Sequence, residues 1–247
     1  MTEHARYLLP TARKIVELMD NCETYFTSGQ DTDYKLHAIF TRGIIEEFAD
    51  VTIAEFRRRH PKIYIEIKQG QDMDCEDALD ALEAEVALTA GPLDTEKYSA
   101  EFIHSSRYGI VVHKDDPLAR LRSLNISELD GRPLTMMRER QKTYSVIKAA
   151  AENAGVRLNI SSWVDDALLT CQYADLKQSM GITTSSHHLF TGTNLCFVPF
   201  DDPTISWNVY LVTLKDIELS PAAELFMQLI RRHRDNRLMD RKLGVEY

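Results

Sequence analysis

Apolar and polar residues alternate along this chain with two periods, which predicts strands and helices that follow one another. Ile63, Ile65 and Ile67 alternate with polar residues, the pattern of a strand with one buried face. Strands are predicted over 35–40, 63–68, 86–89, 108–113, 134–137, 160–164, 181–184, 195–198 and 209–214, and helices over 44–60, 77–85 and 144–153. A last helix begins with Ser220 as its N-cap and Pro221 in its first turn. This alternation predicts an α/β fold with largely parallel sheets.

A separate N-terminal helix is predicted over 7–26 from an apolar stripe whose spacings alternate between four and three residues. The stripe consists of Leu8, Ala12, Ile15, Met19, Cys22 and Phe26. This is the a/d pattern by which one helix of a coiled coil buries a narrow strip against another. The polar run at 27–33 has the composition of a linker, so we favour a dimerisation helix over a helix packed on its own domain.

The charge of the chain argues against one class of function. Its 247 residues include 29 Lys and Arg against 38 Asp and Glu, a net charge of −9. A protein that grips a nucleic-acid backbone needs Lys and Arg to neutralise phosphates, so this chain is not expected to do so by itself. Acids are concentrated between Glu66 and Glu101, and bases between Arg231 and Lys242. We interpret both clusters as solvated surface, with a contact between the basic tail and an acidic partner surface as the alternative.

The absence of targeting signals predicts a cytoplasmic protein, and this location determines the expected state of the cysteines. No apolar stretch is long enough for a membrane span, and the first residues lack the features of a secretory signal. In that reducing compartment the four cysteines, Cys22, Cys75, Cys171 and Cys196, are expected to be free thiols.

Sequence signatures of catalysis are scarce. The chain has no GxSxG elbow, no Walker A loop, no HExxH and no GxGxxG. We therefore predict that it is not an enzyme and that it has no catalytic residue, metal site or cofactor. Asp165 and Asp166 follow a predicted strand and precede a helical run, so capping of that helix is their expected role.

Three strand-to-helix turns carry residues suited to binding a small ligand. In open α/β sheets, ligands lie outside the carboxyl ends of the strands, where helix N-termini favour anions. The first turn supplies the Thr41 hydroxyl, the Arg42 cation and Gly43, whose backbone can approach a ligand closely. The second, at 137–143, supplies three bases and a hydroxyl, and the third, at 183–186, supplies four hydroxyls. Ser and Thr also cap helices, but three such turns together predict a ligand cleft.

Six segments, in the right order, resemble the linker helix and effector-binding domain of LysR-type transcriptional regulators. They are TEHARYLLPTARKIVEL at 2–18, YKLHAIF at 34–40, FRRRHPKIYIEI at 56–67, VVHKDDPLA at 111–119, SLNISELDGRPLTMM at 123–137 and LSPAAELFMQLI at 219–230. The resemblance implies a fold like that of type 2 periplasmic binding proteins: two Rossmann-like subdomains with a cleft, preceded by a coiled-coil linker helix. The implied divisions are a linker and dimerisation helix at 1–28, subdomain I at 33–113 plus 207–233, subdomain II at 118–203 and a tail at 234–247.

The resemblance also implies which residues contact an effector in the cleft between the subdomains. Carried over by position, they are Thr41, Arg42, Gly43, Gln71, Asp72, Arg138, Arg140, Asp165 and Thr184. The arginines favour an anionic metabolite, although Glu46 and Glu47 add acid near one wall. The chain departs from the family in having no Pro in the opening turns of its first helix and none in KQSMGITTSS at 177–186.

The leading hypothesis is therefore an effector-sensing and oligomerisation domain of a LysR-type regulator, present as a dimer or tetramer. Effector binding would shift the population of subdomain arrangements and so alter the oligomer. DNA would be contacted only through the family's winged helix-turn-helix, which is absent from this sequence. A solute-binding protein of the same fold is the first alternative, and the absence of a signal and the heptad helix argue against it. An enzyme on the same scaffold is the second.

Overall fold

The computed structural model describes residues 35–48, 53–185 and 193–242, together with Thr2 and six positions of the N-terminal helix. Its elements are β1 (Lys35–Thr41), α1 (Ile44–Phe48), α2 (Ala54–Arg59), β2 (Tyr64–Gly70), α3 (Asp72–Asp80), β3 (Val86–Ala90), β4 (Tyr98–His113), 3₁₀ turns at Pro117–Arg120 and Ile126–Leu129, β5 (Pro133–Met137), α4 (Lys142–Asn153), β6 (Asn159–Val164), α5 (Ala167–Asp175), β7 (Met180–Thr184), β8 (Leu195–Pro199), β9 (Ser206–Leu214) and α6 (Pro221–Lys242). No helix in this described part of the chain is both long enough and apolar enough to cross a membrane.

The chain divides into two compact units. Unit 1 comprises Met1–His104 and Val209–Tyr247, and unit 2 comprises the continuous stretch Ser105–Asn208. The boundaries of unit 2 therefore fall within the long strand β4 and within β9.

The sheet of unit 1 has the strand order β2-β1-β3-β9, in which β1 is parallel to β2 and β3, and β9 is antiparallel to β3. Successive residues of β1 point to opposite faces, as in any strand. On one face Ile39 belongs to a buried cluster with Cys75 and Leu79 of α3. On the other face the ring of Phe40 stacks on Phe226 of α6, with centroids 6.1 Å apart. Apolar residues on both faces make β1 a central strand covered by helices on both sides.

The sheet of unit 2 has the order β8-β4-β7-β5-β6, in which β5 is parallel to β6 and β7, and β4 is antiparallel to β7 and β8. The approach of β8 to β4 requires Gly109. A Cβ at that position would lie 2.3 Å from the carbonyl oxygen of Val198. The carboxyl ends of the parallel strands β5 and β7, at Met137 and Thr184, lie at the same edge of the sheet.

The predicted α/β alternation is confirmed, with two corrections to element bounds. The helix predicted over 77–85 is α3, which begins at Asp72 and ends at Asp80; at its start, Gln71 N donates to Asp74 Oδ2 across the first turn. The strand predicted over 108–113 is β4, which begins ten residues earlier, at Tyr98. Elsewhere the predicted start of α6 is confirmed, because Ala223 N donates to Ser220 Oγ at 3.2 Å.

The N-terminal helix presents an apolar stripe to solvent at the positions that the structure describes. Those positions are Leu8, Thr11, Ala12, Ile15, Val16 and Met19, and all are helical. Leu8, Ile15 and Met19 are 62%, 54% and 65% exposed. Cys22 and Phe26 of the predicted stripe lie outside the described residues. A role in dimerisation stays a prediction.

The first two residues of the basic tail, Arg231 and Arg232, form ion pairs with acidic residues of unit 1. Arg231 forms a bidentate ion pair with Glu101 of β4, in which Arg231 Nε donates to Glu101 Oε2 at 2.8 Å. Arg232 Nη2 lies 3.2 Å from Glu55 Oε1 on α2. Through these pairs α6 is tied to two other elements of unit 1, so part of the tail is engaged within the chain.

Candidate functional site

In unit 1, the predicted site residue Thr41 ends β1 inside a buried polar network. Its Oγ1 donates to Asp72 Oδ1 at 2.8 Å and lies 3.0 Å from Thr89 Oγ1. Ala90 N also donates to Asp72 Oδ1, at 3.3 Å. The side chains of Thr41, Asp72 and Thr89 are almost fully buried. The fold thus brings two predicted site residues together. Their mutual hydrogen bond joins β1 to α3, and the contacts of Thr89 and Ala90 join β3 to both.

The residues after Thr41 turn outward. Arg42 and Gly43 are exposed, and Arg42 N donates to Gly70 O at 3.1 Å, which fixes the turn against the end of β2. Gly43 has a φ of +88°, a conformation that L side chains rarely adopt, and among the described residues no atom lies within 4 Å of where its Cβ would stand. The backbone of this turn is therefore open to an incoming molecule, with a guanidinium beside it.

In unit 2, the predicted site residues Arg138 and Asp165 form an ion pair. Arg138 Nε lies 3.1 Å from Asp165 Oδ1, and both side chains are more than half exposed. Arg138 follows β5 and Asp165 follows β6, so the pair joins two neighbouring strand ends. Capping of the following helix is the role expected of Asp165 and Asp166. Asp166 caps α5, because its Oδ1 accepts a hydrogen bond from Leu168 N at 2.6 Å. Arg140 is exposed on the same turn as Arg138.

Three polar residues of the predicted turn at 137–143, which are not among the predicted effector contacts, are buried at the start of α4. Gln141, Lys142 and Thr143 are only 4%, 8% and 5% exposed. Thr143 Oγ1 lies 3.1 Å from Tyr108 Oη, and Tyr108 is paired with the predicted site residue Thr184 in the β4–β7 ladder. The charge of Lys142 was visible in the turn at 137–143, but no sequence signal indicated that this lysine is buried while Arg138 and Arg140 are exposed.

The chemistry of these groups favours binding over catalysis. Guanidinium groups bind carboxylates and phosphates through paired N–H donors. Burial raises the pKa of the Cys75 thiol, which touches the Thr41 network, to about 12, so this sulfur is not a nucleophile at neutral pH. Within the described residues no group of three or more His, Cys, Asp or Glu is placed to hold a metal ion. Cys75, Cys171 and Cys196 are free thiols as predicted, and Cys22 lies outside the described part.

Comparison with known proteins identifies a family and a fold to which this chain is similar. The family model of the LysR substrate binding domain matches residues 41–235. The HTH-type transcriptional regulator CysB of Haemophilus influenzae is 26% identical over 150 residues, which cover 59% of this chain and 46% of that protein. The chain thus spans less than half of the length of this curated relative.

Two solved structures superpose on most of the chain. The effector binding domain of QuiR in complex with shikimate has a TM-score of 0.76 at 14% identity, covering 83% of this chain and 98% of that chain. The Synechocystis PCC6803 CcmR regulatory domain in complex with 2-PG has a TM-score of 0.75 at 14% identity, covering 83% and 99%. The periplasmic-binding-protein-like α/β fold predicted from the resemblance is confirmed.

Proposed function

The chain belongs to the LysR substrate-binding domain family, and from this premise we propose that it is the effector-sensing domain of a LysR-type transcription regulator. The observation that carries the proposal is the family match, which runs through both units, from β1 to α6. The curated relative is a transcriptional regulator, and the two solved relatives are an effector-binding domain and a regulatory domain with small molecules bound. DNA recognition would reside in a winged helix-turn-helix module, and the protein would act in the cytoplasm.

The effector that we propose is a small anion. In unit 1, Arg42 and the open backbone of Gly43 would contact it, while Thr41 and Asp72 hold the turn in place. Gln71, between β2 and α3, is the remaining unit 1 candidate.

In unit 2, Arg138, Arg140 and Thr184 would supply the contacts. Because an exposed ion pair contributes little to stability, the pair between Arg138 and Asp165 can exchange one carboxylate for another at small cost. Asp165 would hold the guanidinium in place until the effector binds.

The regulatory step would be a shift between two conformations of the protein. An effector changes their populations only to the extent that it binds one of them more tightly, so a ligand with equal affinity for both would have no effect. The shift would be passed to the DNA-binding modules through the oligomer.

A ligand screen by thermal unfolding tests the binding proposal. Carboxylates, aromatic acids and amino acids would be added to the full chain and its Tm measured. A ligand at a hundred times its Kd should raise the Tm by roughly 5–10 °C for a protein of this size. Arg138→Gln should remove most of that shift while leaving the Tm of the free protein nearly unchanged, because the Arg138–Asp165 pair is exposed.

The control for this experiment is Arg122→Gln, which removes another exposed arginine of unit 2. It should keep the full ligand-induced shift. If Arg138→Gln and Arg42→Gln both keep the shift of the wild-type protein, the proposed site is wrong.

We also propose that the N-terminal helix pairs with the same helix of a second copy. Leu8, Ile15 and Met19 lie along one stripe and are more than half exposed, which leaves a helical apolar surface that a coiled coil would cover. Light scattering should give the mass of a dimer or tetramer for the full chain. Replacing the three residues with Ser should lower that mass, and Leu121→Ser, which removes an exposed leucine of unit 2, should not. A single-chain mass for the wild-type protein would contradict the proposal and favour a solute-binding protein.

A further inference from the structure

Unit 2 contains a cavity at the edge of its sheet opposite to the proposed effector residues of this unit, Arg138 and Thr184. Its volume is about 400 Å³, and it is bordered by the end of β4, the start of β5 and the turn from α5 to β7. Met180 begins β7 beside the cavity, whereas Thr184 ends this strand at the other edge. Four residues of extended strand separate them by about 13 Å. The cavity is therefore distinct from the candidate site described above.

The acidic groups that line this cavity are already engaged. Asp115 Oδ2 lies 2.8 Å from Lys177 Nζ and 3.3 Å from His113 Nδ1. Asp116 Oδ1 accepts a hydrogen bond from Leu118 N at 2.8 Å and so caps the 3₁₀ turn that follows it. The charge of Asp115 is thus paired with that of Lys177, whereas the Asp116 carboxylate keeps its charge and is held at the start of the 3₁₀ turn.

The remaining cation of the lining is Arg132, immediately before β5. Its side chain is exposed and makes no ion pair or hydrogen bond with any residue that the structure describes. The carbonyls at the end of α5 are also satisfied, since Lys177 N donates to Ala174 O at 3.0 Å and Gln178 N to Tyr173 O at 3.1 Å. Arg132 is thus the cation of the lining that remains available to an anionic ligand, since Lys177 is paired with Asp115.

Part of the remaining lining is apolar, beside the polar residues Gln178 and Ser179. Val112, Ala174 and Met180 contribute buried apolar side chains, and Pro117 and Pro133 flank them. Ligand-binding cavities of about 300–1,000 Å³ combine an apolar lining with a few placed polar groups, and this cavity has both.

We propose that this cavity is a second ligand site, which takes a small carboxylate with a compact apolar body. Arg132 binds the carboxylate, and the wall formed by Val112, Ala174 and Met180 packs against the body of the ligand. The site does not depend on the proposed effector residues, because all of its lining belongs to the other edge of the sheet.

A titration of the ¹⁵N-labelled full chain with 3-phenylpropanoate, followed by NMR, tests this proposal. Saturable shifts are expected at the backbone amides of Lys177, Gln178 and Ser179, which border the cavity. Arg132→Gln should weaken binding by roughly tenfold or more, as expected when a charge-assisted hydrogen bond is lost. The neutral amide 3-phenylpropanamide should bind more weakly than the acid by a similar factor.

Two arginine variants serve as controls. Arg157→Gln removes an exposed arginine of unit 2 outside the cavity, and Arg138→Gln removes one from the proposed effector site. Both should leave this titration unchanged. Absent shifts at 177–179, or equal affinity in Arg132→Gln and the wild-type protein, would overturn the second site. Either result would leave the effector proposal standing, because that proposal is tested by loss of the thermal shift in Arg138→Gln.

Discussion

Thr41→Val tests whether the hydroxyl at the end of β1 holds the fold together. The substitution keeps the β-branched shape and deletes an oxygen that lies 2.8 Å from Asp72 Oδ1 and 3.0 Å from Thr89 Oγ1. Because Asp72 is 0% exposed, its carboxylate cannot replace the lost donor with water. A hydrogen bond to a charged group contributes about 1.5–3 kcal/mol, so we expect the free energy of unfolding to fall by about 2 kcal/mol.

Urea unfolding followed by circular dichroism measures this loss, which corresponds to roughly 4–8 °C in Tm for a chain of this size. Thr213→Val is the matched control. Thr213 is also buried, on β9, but its hydroxyl forms no hydrogen bond with the described part of the chain. Equal stabilities of the two variants would refute the reasoning. If Thr41→Val kept its stability and lost the ligand-induced shift, the hydroxyl would instead contact the effector, as the family resemblance predicts.

Three further predictions concern charge, thiols and packing. The hydrogen bond from Arg231 lowers the pKa of Glu101 below its ordinary 4.5, so this pair stabilises the fold above that pH and the contribution is lost as the pH falls through the lowered value. The free energy of unfolding, measured with urea from neutral pH down to about pH 3, should therefore decrease less for Glu101→Gln than for the wild-type protein. Equal decreases would contradict this. Burial raises the pKa of Cys75 to about 12 and that of Cys171 to about 11, so mass spectrometry should find both thiols unmodified after brief treatment of the native protein with iodoacetamide and alkylated after unfolding. Gly109→Ala should cost at least about 1–3 kcal/mol or prevent folding, because its Cβ would overlap backbone atoms of β8, and a Tm within error of the wild-type protein would refute this packing.

Much of the fold could be predicted because its strands are short apolar runs between turn residues. The first half of β4 could not, because Tyr98–Ser105 carries polar residues between its buried positions, Tyr98 and Ile103. Side-chain patterning on such a strand resembles that of a loop, and only pairing with neighbouring strands distinguishes the two. The apolar pattern predicts the start of α3 too late for a related reason. The first turn of this helix, from Asp72, is acidic, and it is stabilised by capping.

The candidate site was predictable in position but not in the roles of its side chains. The sequence indicates the turns after β1 and β5 as parts of a ligand site, and both carry the polar groups described above. It could not show that Thr41 and Asp72 face each other in the interior while Arg42 faces solvent. Nor could it show that Lys142 is buried beside two exposed arginines. Such differences depend on which neighbouring element covers each residue, and this is a long-range property of the fold.

The interrupted sequence of unit 1 has a consequence for synthesis on the ribosome. Unit 2 is one continuous stretch, so all of its strands leave the exit tunnel before the second part of unit 1 does. In unit 1, β3 cannot pair with its antiparallel neighbour β9, and Phe40 cannot pack on Phe226, until those later residues have been synthesised. The first segment of unit 1 must therefore remain incomplete, with an unpaired strand edge, until β9 and α6 have left the tunnel. A nascent chain stalled while α6 is still inside the tunnel should then be a client for chaperones that bind exposed strands and apolar surface, with its unit 2 already outside.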